Sequence, residues 1–239
     1  MKFSHLSRVY TTEPIIKNQT ITIGGEGFHY LKSVMRLRCS EVFRLFNAVD
    51  GEFLVKIVEI AKSNLVVMPE TLLRKSACEQ DLTLAMCIIK PDRMLEVIKS
   101  AAQLGVTQII PVISKRTQYK NIAFDRAMKC IIGATEQSER FKPAELLEPI
   151  TLIEFCKKND FEQVIFACET ETEDNKIKNI NKIANNPVIL IGPEGGFDEE
   201  ETKMIKSLQN VHSISLGQSV LRAEIAAIAA IACTTMMRN

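Results

Sequence analysis

Two short glycine-bearing loops, each entered from a β-rich run and left through a helix-like run, constrain this chain more than anything else in it. In the first, residues 188–191 read as a buried strand, 192–196 as a turn, and Asp198 opens a helix. Glu201, three residues on, completes a capping box. In the second, residues 211–217 alternate as a strand does, and 218–222 lead into a helix that is nearly all Ala and Ile. Gly192 and Gly217 stand about 25 residues apart, a spacing that suits neighbouring βα units of one sheet with a shared ligand crevice at the strand ends.

A glycine turn between strand and helix often sets bare N–H groups against a phosphate. Here Glu194 sits inside the turn, and Asp198, Glu199, Glu200 and Glu201 crowd the helix start. So many carboxylates would oppose a di- or triphosphate by roughly several kcal/mol in partly buried surroundings. The turn suits a ligand with an adenosine-like body, no phosphate and a positive charge, a description that S-adenosylmethionine meets. An ordinary βα turn with a good cap is the plainer alternative for the first segment taken alone.

With 239 residues, 46% hydrophobic and 25% charged, the chain has room for one large or two small domains and an ordinary globular composition. Glu13, Lys17 and Glu26 interrupt any apolar run of signal-peptide kind, and the run 225–233 is too short to span a bilayer. The cysteines at 39, 78, 87, 130, 156, 168 and 233 form no CxxC, which suits reduced thiols in a cytoplasm. His5, His29 and His212 lie at no metal-ligand spacing, so no metal is expected. Residues 1–75 carry 11 Lys and Arg against 7 Asp and Glu, while the other 164 carry 19 against 22. The N-terminal part is therefore the candidate nucleic-acid side, although a chance scatter of solvated charges gives the same count.

Residues 21–25, 41–47, 51–60 and 64–70 read as short strands around one helix at 28–38, in which Leu31, Val34, Met35 and Arg38 are spaced for one face. That pattern suggests a small β-barrel, with Asp50-Gly51 as a hairpin signal and 74–80 as a linker. From Asp81 strands at 82–89, 107–113, 162–168, 187–191 and 211–216 alternate with helices at 92–104, 124–138, 151–158, 198–208 and 222–237. Alternation of this kind predicts a parallel sheet covered on both faces. Residues 176–186 are expected to be a surface connection. The last helix is apolar over most of its circumference, as a buried core helix is, or one pressed against the loops and a second subunit.

Further motifs carry a family resemblance. Arg8 before Val9 and Tyr10, the set His29, Val34, Arg36, Leu37 and Arg38, and Lys90, Met94 and 104–106 fall in the order of one family. So do Ser114 and Arg116; Glu136, Gln137, Ser138, Arg140 and Pro143; GPEGGF at 192–197; and the L-G-x4-R-x-E-x-A run at 216–226. The chain resembles, over nearly its whole length, the RsmE-like family of SPOUT-class RNA methyltransferases, which act on N3 of a uridine in 16S ribosomal RNA. Where the family has Arg or Thr, this chain has Ser219, Ala223 and Ile225. The resemblance implies a PUA-like RNA-binding β-barrel over 1–72, a trefoil-knotted α/β methyltransferase domain over 73–239, and a homodimer. Periodicity alone does not imply a knot. Three loops hold S-adenosylmethionine in such folds. Here they would contribute Ala167, Cys168 and Glu169; Gly192, Pro193, Glu194, Gly195 and Gly196; and Ser215, Leu216, Gly217, Ser219, Val220 and Leu221.

For methyl transfer to a uracil imide, the chemistry asks for alignment, loss of the N3 proton, and a cation near O2 or O4. Arg222, at a helix start where a cation is electrostatically disfavoured, is the first candidate for that cation, pairing with Glu194 or Glu224 being the alternative. Glu194 would offset a sulfonium charge or bond ribose hydroxyls, unless it is a plain turn carboxylate. Glu224 is a candidate base, with solvent hydroxide an equal one. Arg8, Arg36, Arg38, Arg116 and Arg140 are candidate phosphate contacts, and the target base must be unpaired or flipped out. The partner is then 16S rRNA or the small ribosomal subunit. A catalytically silent RNA-binding or ribosome-assembly factor on the same fold competes with this reading, motivated by the substituted 218–225 loop. A dinucleotide oxidoreductase lacks its G-x-G-x-x-G spacing.

Overall fold

The computed structural model describes residues 3, 5–158, 160–168, 180 and 182–238, which form two compact units. One comprises residues 1–78 with 135–142, the other 79–134 with 143–239.

In the first unit, strands β1 (Arg8–Tyr10), β2 (Ile21–Gly24), β3 (Val42–Asn47), β4 (Gly51–Ile60) and β5 (Asn64–Arg74) form one sheet in the order β1-β3-β4-β5-β2. Only β1 and β3 run parallel. The expected barrel is thus a curled half-barrel with β1 and β2 as its edges. Alternate residues Phe43 and Leu45, Val55 and Ile57, and Leu65 and Val67 fill its core. The turn into β4 requires glycine: Gly51 has φ +94°, and a Cβ there would strike the Arg74 carbonyl at 2.4 Å.

The predicted helix 28–38 is instead a short α1 (Gly25–His29) that continues as a π-helical turn, Tyr30–Val34. It stops because Arg36 takes a left-handed conformation, φ +55°, and the Leu37 N–H reaches back to the Leu31 carbonyl at 3.0 Å. That is a left-handed stop whose closing bond reaches one residue further back than in a Schellman motif, as the π-helical last turn requires, with arginine where glycine is usual. Only Leu31 of the predicted face is buried, while Val34 and Met35 are exposed.

Arg8 is not on the surface, which corrects its reading as a phosphate contact. It is 4% exposed; its Nε donates to Glu52 at 2.7 Å and its Nη1 to the Thr135 carbonyl at 2.9 Å. Its guanidinium lies 3.3 Å over the Phe46 ring. Arg44 and Arg74 bind the same Glu52 and also Glu139. Burial pulls Arg8 down to about 10, against the opposing hydrogen bond to Glu52.

The second unit is built on a seven-stranded, wholly parallel sheet: β6 (Thr83–Cys87), β7 (Gln108–Ile113), β8 (Glu145–Leu146), β9 (Ile150–Thr151), β10 (Gln163–Ala167), β11 (Pro187–Ile191) and β12 (Val211–Ile214). Its order is β12-β10-β11-β6-β7-β8, with β9 also on β7. Leu84, Met86, Ile189 and Ile191 face α2 (Pro91–Gln103), α3 (Phe124–Gln137) and α6 (Ala223–Arg238). Ala85, Cys87, Val188 and Leu190 face α4 (Leu152–Lys158) and α5 (Glu199–Lys206). Both faces are therefore covered. In α6 the buried stripe is Ala223, Ala227, Ala230, Ile231 and Thr234, whereas Ile225 and Met236 are exposed. The expected connection 176–186 lies outside the described residues except at 180 and 182–186.

Glu52 is 1% exposed and answers three arginines. Replacing it with alanine leaves buried guanidinium groups without their counter-charge, so Glu52→Ala should cost ~3–5 kcal/mol in urea unfolding. A cost below about 1 kcal/mol, the range of an exposed ion pair, would contradict this account.

Candidate functional site

The strands β10, β11 and β12 are adjacent and parallel, so their C-terminal ends and the loops that follow them meet at one edge of the sheet. A cleft of about 370 Å³ opens there, within the range of small-molecule sites. Its floor is Phe166 and Ala167 at the end of β10, Cys168 just after it, and Ile191 at the end of β11. Gly192, Pro193, Glu194 and Gly196 form one wall, and 215–222 the other.

Local constraints shape both walls. A Cβ on Gly192 would come within 3.0 Å of the Phe197 ring, so the bare backbone allows that ring to close the base of the turn. Gly196 has φ +65° and donates its N–H to the Pro193 carbonyl at 2.9 Å. Across the cleft Gly217 has φ +132°, and its N–H meets the Ser215 hydroxyl at 3.3 Å. The Cys168 N–H donates to the Ile214 carbonyl at 3.0 Å and ties the β10 loop to β12.

Most of the residues expected at the cofactor converge on this cleft: Ala167 and Cys168; Gly192, Pro193, Glu194 and Gly196; Ser215, Leu216, Gly217, Ser219, Val220 and Leu221. Arg222 lines it too. Glu169 lies outside the described residues. Gly195 is not part of the lining; its carbonyl accepts from Arg116 Nη1 at 2.8 Å. Glu224 is buried in the first turn of α6 rather than lining the cleft, with its Oε1 3.6 Å from Arg93 Nε. The sequence reading missed Arg93, Phe166 and Thr202, whereas Phe197, which also lines the cleft, falls within the expected 192–197 loop. Phe197 stood within the GPEGGF motif, but nothing local to Arg93, a century of residues away, marks it as part of the site. Arg36, Arg38 and Arg116 are exposed, and Arg140 is half-buried and falls in the first unit, not on the second as expected.

The carboxylate crowd is organised differently from the sequence expectation. Glu194 alone of the five lines the cleft, and its Oε1 accepts the Lys90 N–H at 3.4 Å. Asp198 and Glu200 bind Lys115, and buried Glu201 accepts the N–H groups of Lys115 and Asp198. Anion repulsion at the turn therefore rests on Glu194, with Arg93 and Arg222 as opposing charges. Among the described residues no cluster of three or more His, Cys, Asp or Glu could hold a metal, and no helix is long and apolar enough to cross a membrane.

The Asp198 carboxyl is held below its ordinary range, first by the Glu201 N–H and then by Lys115. A carboxyl whose folded pKa lies below its unfolded one stabilises the cap above the unfolded value, about 3.9, and loses that contribution as pH falls through the folded one. The side-chain carboxyl carbon resonance of Asp198 should consequently keep its ionised position in NMR spectra down to about pH 4 and titrate only below it. A midpoint at or above the ordinary aspartate value would show that the cap does not act on Asp198.

Residues 76–235 match the model of an RNA methyltransferase domain family, and 23–68 match an RNA methyltransferase PUA domain. The chain is 42% identical to a ribosomal RNA small subunit methyltransferase E of Rickettsia conorii, over 95% of this chain and 93% of that protein. Its fold superposes on a Legionella pneumophila methyltransferase in complex with S-adenosylmethionine, with TM-score 0.89, 28% identity and coverage of 97% and 98%. It also superposes on a ribosomal RNA small subunit methyltransferase E of Neisseria gonorrhoeae bound to S-adenosylmethionine, with TM-score 0.82, 27% identity and the same coverage.

Proposed function

The chain belongs to the ribosomal RNA small subunit methyltransferase E family, and from that premise we propose that it methylates N3 of a uridine in 16S ribosomal RNA, of the uridine 1498 type, with S-adenosylmethionine as methyl donor. The observation that carries the reading is the single cleft shared by loops 192–197 and 215–222. Its residues fit such a ligand: apolar walls at Phe166, Leu216 and Leu221, a hydroxyl at Ser215, one carboxylate and two guanidinium groups. S-adenosylmethionine supplies a methyl group on a positively charged sulfur.

The protein's own contribution is alignment and charge balance. Glu194, fixed by the Lys90 N–H, sets a negative charge at the cleft wall. Arg222 stabilises the negative charge that develops on a uracil oxygen as N3 loses its proton. Burial of Glu224 and its pairing with Arg93 argue against it as the base, and favour proton loss to solvent. Residues 1–72 serve as the RNA-holding domain and 73–239 as the methyltransferase domain. Exposed Arg36, Arg38 and Arg116, with Arg140, contact RNA phosphates, and the target base is flipped out. The partner is 16S rRNA or the small subunit, in the cytoplasm.

Calorimetry should detect S-adenosylmethionine binding without metal, and labelled methyl should pass to small-subunit RNA as N3-methyluridine by mass mapping. Arg222→Ala should lower that transfer about 10²–10³-fold while changing donor affinity little. No donor binding defeats the proposal. Binding without transfer to any ribosomal RNA selects instead the catalytically silent RNA-binding or ribosome-assembly role.

Ile225 and Met236 are 48% and 77% exposed on one face of α6, and Val220 before it is 81% exposed. Apolar groups left open this way support a homodimer through α6. Sedimentation should give a dimer for the native chain and a monomer for the Ile225→Glu, Met236→Glu double variant. A native monomer overturns this part.

A further inference from the structure

Arg93 is the third residue of α2, yet it reaches the cleft formed by loops that follow in the chain a hundred residues later. Its side chain is about one-third exposed, whereas that of Glu224 is only 9% exposed. The 3.6 Å between Arg93 Nε and Glu224 Oε1 is longer than a hydrogen bond, and Glu224 Oε2 is buried with no hydrogen-bond partner. Among the described residues no other bond to the Arg93 guanidinium is recorded. Nε thus faces a buried carboxylate, and the guanidinium of this cleft-lining residue keeps its two terminal nitrogens as a planar fork. A guanidinium fork of this kind matches a carboxylate with two parallel hydrogen bonds. Arg222 also lines the cleft, but from a loop and as an exposed residue. Arg93 stands on a 13-residue helix with a buried counter-charge to orient it, which is how a binding group is preorganised.

We infer that Arg93 binds the α-carboxylate of the ligand's amino-acid end and that Glu224 is the positioning residue that aims it. The inference rests on the cofactor reading above and adds a contact that the reading does not contain. With Arg93 assigned to the carboxylate, Arg222, which also lines the cleft, is left for the nucleobase.

The test is calorimetry with two probes, S-adenosylmethionine and decarboxylated S-adenosylmethionine, which keeps the sulfonium and the amine. The native chain should prefer the first by about tenfold to a hundredfold, the range of a hydrogen bond to a charged group. Arg93→Met should remove that preference by weakening S-adenosylmethionine alone. Glu224→Gln, which keeps the shape but removes the counter-charge, and Glu224→Ala should each lose most of the preference. Melting curves of each variant confirm that it is folded. A native chain with no preference, or an Arg93→Met variant that keeps it, overturns the inference and leaves the cofactor reading intact. Glu224→Ala keeping the preference overturns the positioning role. Binding of neither probe by the native chain removes the cofactor reading and this inference together.

Discussion

A strand paired on both sides decides where this molecule can bind anything. β10 hydrogen-bonds β11 along residues 163–167 and β12 along 164–167, all in parallel. Parallel partners begin and end together, so the loops leaving all three strands must emerge at the same edge. Moreover, β11 and β12 are consecutive in the chain but separated by β10 in the sheet. The α5 crossover therefore carries the chain back past the β10 end, and the two glycine loops come to face each other across Phe166 and Cys168 rather than lie side by side. The groups of the three loops that are proposed to hold a ligand inherit their positions from that register, and Arg93 alone among the proposed contacts comes from another element.

Much of this was legible because apolar periodicity and cap chemistry are local. Asp198 and Glu201 form the predicted capping box with both reciprocal bonds, and α5 starts where they place it. The run 187–191 is a fully buried strand, as an unbroken Val, Ile and Leu sequence implies. Three strands escaped notice: β1, β8 and β9 have only two or three residues each, too few for a period to show. The order β12-β10-β11 was invisible for another reason, since pairing across the sheet leaves no mark on spacing along the chain. Arg93 is hidden in the same way. It belongs to an ordinary amphipathic helix by every local criterion, and enters the cleft only through the packing of α2 on α6.

Charge shows where counting residues misleads. Arg8 contributes to the positive excess of the first 75 residues, yet its charge is spent inside the fold against Glu52. Arg44 and Arg74 are engaged likewise, and Glu139, from the 135–142 run, helps to balance them. What the half-barrel presents outward is therefore less basic than its composition, and exposed Arg36 and Arg38 carry a larger part of any RNA attraction. Arg36 stands at the left-handed stop after the π-helical turn, a position that favours glycine, so the backbone gives no reason for an arginine there.

The same argument, turned on the cleft, sharpens what its ligand must be. Four of the five carboxylates around the first glycine loop lie outside its lining, and Asp198, Glu200 and Glu201 are engaged with Lys115 or the helix cap. Repulsion of a phosphate by a wall of negative charge is accordingly not what selects the ligand. What remains is Glu194 on one wall and Arg93 and Arg222 at the other elements, a mixed set that no single-signed ligand satisfies. A polyphosphate would meet two cations but would be forced against Glu194, and a simple cation would meet Glu194 but be repelled by the arginines. A molecule carrying both a sulfonium and a carboxylate on an aromatic, apolar-faced body can meet Glu194 and Arg93 at once, with Arg222 left over for the proposed nucleobase contact, and the mixture of charges suits it better than any excess of one sign could.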